Sequence, residues 1–162
     1  MVKSRFALLT STVLATLALA SSPALAQDAE EGTETDAASG SVVNVTLQEF
    51  AVIPDTLSVP AGSVTFNAEN IGPMDPHELV IVRTDMAAGE LPTREDGSFD
   101  EDAEGVEVLG EIEEFDVGGT ESLTLDLEPG HYALLCNLVE EEDGELEAHY
   151  QLGMWIDFEV TA

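Results

Sequence analysis

Apolar and polar residues alternate in four short stretches of the chain, which is the pattern of half-buried β-strands. These stretches are residues 42–48, 64–66, 123–127 and 156–160, and a shorter extended piece is predicted at 57–59. Turn residues separate the stretches, and no long helical period interrupts them. The pattern therefore predicts a domain built from short strands.

Two further stretches are more continuously apolar. Residues 79–82 are all apolar, which is typical of a central strand covered on both faces. Residues 132–136 follow a Pro129-Gly130 turn and form the next such strand. About seven short strands bounded by turns predict an all-β fold, a Greek-key antiparallel β-sandwich.

One long segment, residues 84–110, does not fit the strand pattern because it is polar and acidic. Loops of this length are uncommon unless they are functional or partly structured. We interpret the segment as a mobile flap with at most one helical turn, at 85–91.

The first 26 residues have the organisation of an export signal. Two basic residues precede an apolar stretch at 6–20, and the small residues Ala24-Leu25-Ala26 predict cleavage before Gln27. The apolar stretch is shorter than the roughly 20 residues that cross a bilayer. We therefore expect an exported protein, periplasmic or secreted.

The rest of the chain divides into two parts by composition. Residues 27–41 are acidic and small, which predicts a disordered leader. Residues 42–162 contain all the predicted strands and are long enough for one domain with its own core.

The chain is strongly acidic, with 34 Asp and Glu against 4 Lys and Arg and a formal net charge of −30. Such a surface repels nucleic acid and anionic lipid, so neither is an expected partner. The charge is either an adaptation to high salt or a field that steers a cationic partner. We favour adaptation because the charge is spread along the chain.

The chain has a single cysteine, Cys136, at the end of a predicted strand. Alternate residues of a strand share a face, so Cys136 points to the core if Leu134 does. His149 and Met154 lie in the connection that leads to the next strand, which starts at the same pole. His77 stands at the start of another strand and can reach that pole in a Greek-key sandwich.

One thiolate, two imidazoles and one thioether are the ligand types of a type 1 (blue) copper site. Thiolate and thioether suit Cu(I), and imidazole suits both oxidation states of copper. Zinc is the competing metal, but methionine is a poor zinc ligand. An inert buried cysteine without a metal is the other alternative.

Two runs of the chain resemble the C-terminal half of the cupredoxin family, the small blue copper proteins related to plastocyanin, azurin and sulfocyanin. They are Pro-Gly-x-Tyr-x-x-x-Cys-Asn at 129–137 and His-Tyr-x-x-Gly-Met at 149–154. The resemblance covers residues 42–162. It implies an eight-stranded sandwich and one-electron transfer, with the second histidine exposed as the exit for the electron.

The resemblance also implies a mononuclear copper held by the residues that match the family's ligands: His77, Cys136, His149 and Met154. One departure is a long acidic insertion between the cysteine and the second histidine, residues 137–148, which is rich in glutamate. Lengthening a flexible loop costs only about 1 kcal/mol in closure entropy, so the site remains possible. The added carboxylates should favour Cu(II), and Glu147 is an alternative to Met154 as a ligand.

These observations predict an exported, monomeric copper protein that carries single electrons and is not an enzyme. An apolar rim of Leu138, Val139, Tyr150 and Leu152 is expected to dock a redox partner, and the acidic flank favours a basic one such as a c-type cytochrome. Two alternatives remain: a protein that binds and delivers copper in the envelope, and a metal-free interaction domain. His131 is interpreted as a surface residue.

Overall fold

Short strands dominate the structure, a computed structural model that describes residues 40–142 and 144–162. The strands are β1 Ser41–Gln48, β2 Ala51–Pro54, β3 Ser58–Pro60, β4 Gly62–Asn70, β5 His77–Thr84, β6 Val106–Phe115, β7 Thr120–Leu127, β8 Gly130–Leu135, β9 Val139–Glu142, β10 Glu145–Ala148 and β11 Trp155–Thr161. A 3-10 helix, Ala88–Glu90, lies between β5 and β6. The predicted signal and all but the last two residues of the predicted leader lie outside the described residues. In the part of the chain described here, no helix is long and apolar enough to cross a membrane.

The strands form two main sheets and one separate hairpin. One sheet has four strands in the order β2-β1-β4-β7, and the other has five in the order β3-β11-β8-β5-β6. β1 pairs with β4 and β3 pairs with β11 in parallel, and the other pairings are antiparallel. The predicted all-β sandwich is confirmed, with mixed sheets in place of purely antiparallel ones.

The core lies between the two sheets. It is built from the inward residues of the alternating strands, among them Val43, Val45, Leu47, Val64, Phe66, Leu79, Ile81, Tyr132, Leu134, Phe158 and Val160. Tyr132 is fully buried, and its hydroxyl donates a hydrogen bond to the backbone oxygen of Glu128 at 2.7 Å. This hydrogen bond ties the turn before β8 to a side chain of the core.

Strand β5 is covered on both faces, as its continuous apolar stretch predicts. Leu79 and Ile81 face the sandwich core, whereas Val80 and Val82 face a second cluster on the outer side of the five-stranded sheet. The 85–105 segment supplies buried residues of that second cluster: Ala88, Leu91 and Phe99.

The segment after β5 is therefore not the flap that we predicted. Residues 85–105 cover the sheet, because the outward apolar side chains of β5 and β8 require burial. Residues 106–110, the end of the predicted flap, belong to β6. Two register irregularities between β5 and β6 break the alternation of β6, which explains why the sequence pattern missed this strand.

Candidate metal centre

Three of the four predicted ligands meet at one end of the sandwich. His77 opens β5 and Cys136 follows β8, and because these neighbouring strands run antiparallel, both positions lie at the same end of the sheet. The backbone N–H of Glu78 lies 3.5 Å from Cys136 Sγ. His149 follows β10 and reaches the same place. The side chains of His77, Cys136 and His149 are each 0% exposed.

The predicted ligand atoms of these three residues face one another. His149 Nδ1 lies 3.3 Å from His77 Nδ1 and 3.3 Å from Cys136 Sγ, and one ligand atom from each residue lies within 4.8 Å of the others. Nitrogen ligands at about 2.0–2.1 Å from one metal ion are about 3.3–3.6 Å apart at tetrahedral or trigonal angles. The spacing of this cluster fits a single ion held among three side chains.

Met154, the fourth predicted ligand, is linked to this cluster through its backbone. It is fully buried and packs in the same core as Cys136. Its backbone oxygen accepts the N–H of Cys136 at 3.0 Å, and its N–H donates to the backbone oxygen of His149 at 3.0 Å. The backbone thus ties Met154 to both residues, and its role as a metal ligand stays a prediction.

The stretch between Cys136 and His149 is not a simple flexible loop. It folds into the inserted hairpin, β9 and β10, in which Val139 stands opposite Ala148. The N–H of His149 donates to the backbone oxygen of Leu138 at 2.9 Å and extends the hairpin by one step. A predicted ligand is thereby attached directly to the end of a paired strand.

His149 is not exposed, contrary to what the family resemblance implies. Its ring is fully buried, and the ring of Phe50 packs edge-on against it with centroids 5.1 Å apart. Glu140 of β9 lies on its outer side. The ring is therefore covered from two sides, by Phe50 of the turn after β1 and by Glu140 of the inserted hairpin.

Burial sets the protonation of the three side chains in the absence of metal. It lowers the pKa of His149 to about 4, with the adjacent His77 contributing, and it also lowers the pKa of His77. Burial raises the pKa of the Cys136 thiol to about 12. At neutral pH the imidazoles are therefore neutral and the thiol is protonated, so a metal that binds here must displace the thiol proton.

The backbone after Cys136 is held by the side chains of Glu78, which the sequence did not single out, and Asn137, which it gave only as the last residue of a motif. The N–H of Asn137 donates to Glu78 Oε1 at 2.9 Å, and burial raises the pKa of this carboxyl to about 7. The Asn137 side chain in turn pairs with both backbone groups of Phe99: it accepts the N–H at 2.6 Å and donates to the oxygen at 3.1 Å. The 85–105 segment is thus pinned to the residue that follows the cysteine.

Carboxylates surround the histidines on their outer side. Glu49 Oε1 accepts the N–H groups of Met74 and Asp75, each at 2.7 Å, in the turn that leads to His77. Ligand atoms of Asp75, Glu140 and His149 lie within 4.8 Å of one another. The glutamate-rich composition of the insertion hinted at this, but the contribution of Asp75 had no sequence signal.

His131 does not take part in the cluster. Its Nε2 lies 3.1 Å from Asp157 Oδ1, and its Nδ1 lies 3.0 Å from the backbone oxygen of Thr84. It stands at the start of β8, whereas Cys136 follows the other end of the same strand. Tyr150, predicted as part of an exposed rim, is 4% exposed and packs in the second cluster beside Phe99.

Several solved structures have a fold similar to that of this chain. It is similar to reduced auracyanin from the photosynthetic bacterium Roseiflexus castenholzii, at 22% identity and a TM-score of 0.53 over 76% of this chain and 98% of that one. Auracyanin B matches at 22% identity and a TM-score of 0.53, over 75% and 89% of the two chains. A rusticyanin variant matches at 20% identity and a TM-score of 0.50, over 75% and 79%.

These structural neighbours are cupredoxins, and the similarity establishes the cupredoxin fold for this chain. The predicted resemblance is therefore confirmed at the level of the fold. No protein-family model matches the sequence, and no curated protein matches it.

Proposed function

We propose that this chain is a mononuclear copper protein that carries single electrons. The observation that carries the proposal is the convergence of His77 Nδ1, His149 Nδ1 and Cys136 Sγ in a fully buried cluster, with 3.3 Å between His149 Nδ1 and each of the other two atoms. The cupredoxin fold of the neighbouring structures supports it, one of them an auracyanin in a dithionite-reduced state.

In this proposal His77, Cys136 and His149 would hold the copper of a type 1 site, and Met154 would add a weak thioether ligand. When bound, copper would supply a Cu(I)/Cu(II) couple. The mixture of soft sulfur donors and imidazoles matches that couple better than it matches zinc, which is usually held by four Cys or His ligands in structural sites.

The chain's own residues prepare the site for such an ion. The two imidazoles are neutral at physiological pH, so each can direct a lone pair inward. The thiol loses its proton on metal binding, and the Glu78 N–H then faces the thiolate sulfur. The buried surroundings keep water from the ligands, which favours the same geometry in both oxidation states.

The expected partner is a redox protein, and we propose a basic one such as a c-type cytochrome. The rim now consists of Leu138 and Val139, both half-buried, and Leu152, which is 47% exposed. Carboxylates of the inserted hairpin flank this rim and would attract positive charge. We propose a monomer, exported by the signal at 1–26 to the periplasm or the medium, that acts as a carrier and not as an enzyme.

The test is an absorption titration of the purified chain with Cu(II). We expect one equivalent to produce an intense visible band from thiolate-to-Cu(II) charge transfer. Cys136→Ser should abolish this band, and His131→Ala should leave it intact because His131 lies outside the cluster. A band that survives in Cys136→Ser, or a wild-type chain that binds no Cu(II), contradicts the proposal.

Voltammetry separates a carrier from a copper-delivery protein. Fast, reversible exchange with retention of the metal in both states supports the carrier. Slow, irreversible reduction with loss of Cu(I) supports delivery.

A further inference from the structure

The outer nitrogen of His149 faces the Glu140 carboxylate, and the Asp75 carboxylate lies close to the same ring. Glu140 Oε2 lies 3.4 Å from His149 Nε2, and Asp75 belongs to the same group of ligand atoms within 4.8 Å of one another. Nε2 is buried, and within the described ranges it makes no aligned hydrogen bond. Its contact with Glu140 is thus at ion-pair distance and needs only a small adjustment to become a hydrogen bond.

The chemistry of imidazole decides what these carboxylates do. A neutral imidazole carries one proton, so its two nitrogens cannot both offer a lone pair. His149 Nδ1 faces Cys136 Sγ and His77 Nδ1, and as a ligand it must be free of the proton. The proton then lies on Nε2, where the Glu140 carboxylate is in position to accept it and the Asp75 carboxylate lies nearby.

The inserted hairpin is what delivers Glu140 to this position. Alternate residues of β9 point to opposite sides, so Glu140 faces His149 while the next residue, Glu141, is exposed. The hairpin ends on the ligand itself, since the N–H of His149 pairs with the Leu138 oxygen. The carboxylate and the ring it contacts are therefore held by the same small element.

We propose, on the basis of the copper function above, that Glu140 is a positioning residue of the metal centre. Its carboxylate accepts the Nε2–H of His149, with Asp75 in support, and so keeps the Nδ1 lone pair directed at the metal position. Carboxylate–histidine–metal arrangements of this kind fix the ring and raise its basicity as a ligand. The negative charge also favours Cu(II) over Cu(I).

The first experiment uses the metal-free protein and does not depend on copper. Long-range ¹H–¹⁵N NMR of the imidazoles reports which nitrogen of each histidine is protonated. We expect His149 of the wild-type chain to be protonated at Nε2, and the preference for that tautomer to weaken in Glu140→Ala and not in Glu141→Ala. A wild-type His149 protonated at Nδ1 overturns the proposal.

The second experiment measures the reduction potential of the copper-loaded protein. Glu140→Gln should change the Cu(II)/Cu(I) equilibrium at least tenfold toward Cu(I), which is a rise of 59 mV for one electron. Glu141→Gln removes the same charge from the adjacent residue on the opposite side and should shift the equilibrium by less than half as much on the logarithmic scale. Equal shifts in the two variants overturn the proposal, because they indicate a general charge effect.

Asp75→Asn provides a second variant in case the hairpin is disturbed by the first. It should also shift the equilibrium toward Cu(I), and no shift in either Asp75→Asn or Glu140→Gln contradicts the role of these carboxylates. Titration with Zn(II) tests the competing arrangement. A second equivalent that is lost in Glu140→Gln would make the carboxylates a second metal site and overturn the proposal.

Failure of the proposed function has a different signature. A chain that binds no copper leaves the potential undefined, and the tautomer of His149 in the metal-free protein still decides whether Glu140 acts on the ring.

Discussion

Replacing Asn137 with alanine should destabilise the metal-free protein far more than its partly exposed position suggests. Its side-chain amide pairs with the backbone of Phe99 as a neighbouring strand would: it accepts the Phe99 N–H at 2.6 Å and donates to the Phe99 oxygen at 3.1 Å. Phe99 is 0% exposed. Truncation leaves both backbone groups without these hydrogen bonds. It also removes a hydrogen bond from the amide to Glu101 Oε1 at 2.8 Å.

The magnitude follows from the cost of unpaired buried groups. An unsatisfied buried donor or acceptor costs about 1–3 kcal/mol, and an exposed hydrogen bond to Glu101 adds little. Water that enters after truncation will recover part of this cost. We therefore expect Asn137→Ala to lower the free energy of unfolding by about 2–4 kcal/mol, measured by urea denaturation at fixed salt.

Two further variants sharpen the test. Asn44→Ala also removes side-chain hydrogen bonds of an asparagine amide, to Asp55 and Asn67, but on the exposed surface, so it should cost less than about 1 kcal/mol. Asn137→Asp keeps an acceptor for the Phe99 N–H but puts a carboxylate against the Phe99 oxygen. Its stability should fall as the pH rises and the new carboxyl ionises. Asn137→Ala within about 0.5 kcal/mol of wild type would refute the reasoning.

Three other outcomes test the packing and the charge of the domain. Phe99→Ala should lower the free energy of unfolding by about 3–5 kcal/mol because the ring is fully buried. Val117→Ala, at a residue that is 42% exposed, should change it little. Similar losses in the two variants would contradict a packed 85–105 segment. Tyr150→Phe should lower the free energy of unfolding by about 1–2 kcal/mol, measured by thermal or urea denaturation. The hydroxyl donates to the Ala88 oxygen at 2.8 Å and accepts the Leu91 N–H at 3.0 Å, and both bonds are lost in the variant. An unchanged unfolding midpoint would argue against these hydrogen bonds. Burial and neighbouring carboxylates raise the pKa of Glu111, so its ionisation opposes folding as the pH rises above about 4.5. Between pH 5 and pH 7.5, Glu111→Gln should therefore lose less free energy of unfolding than the wild type does. An equal loss in Glu111→Gln and in the control Glu114→Gln would exclude a local effect.

The site could be anticipated from the sequence because its parts depend on strand geometry. Leu134 and Cys136 share a face in any extended strand, and the core position of the leucine therefore places the sulfur inward. His77 begins a strand that runs antiparallel to the one before Cys136, so both come to one end. Local periodicity thus placed the sulfur, whereas the meeting of His77 with Cys136 depends on the pairing of β5 with β8, which the structure supplies.

The cover over the site could not be anticipated in the same way. Ala88, Leu91 and Phe99 are buried together, but they are irregularly spaced and lie among polar residues. The hairpin between Cys136 and His149 is built from glutamate-rich strands with a low intrinsic preference for β structure. Their structure depends on contacts with the rest of the domain, and no period in the sequence encodes those contacts.

The two segments that sequence patterns missed act on different predicted ligands. The 85–105 segment holds the residue after Cys136 through the amide of Asn137, and the inserted hairpin ends directly on His149. Each clamp is made of hydrogen bonds within the protein, so neither needs a metal ion to form. A ligand cluster fixed in this way resists changes in geometry when the charge of a bound ion changes, which is the property that a one-electron carrier requires. The acidic insertion at 137–148 is therefore better understood as part of the frame around the proposed copper centre than as the flexible loop that the sequence suggested.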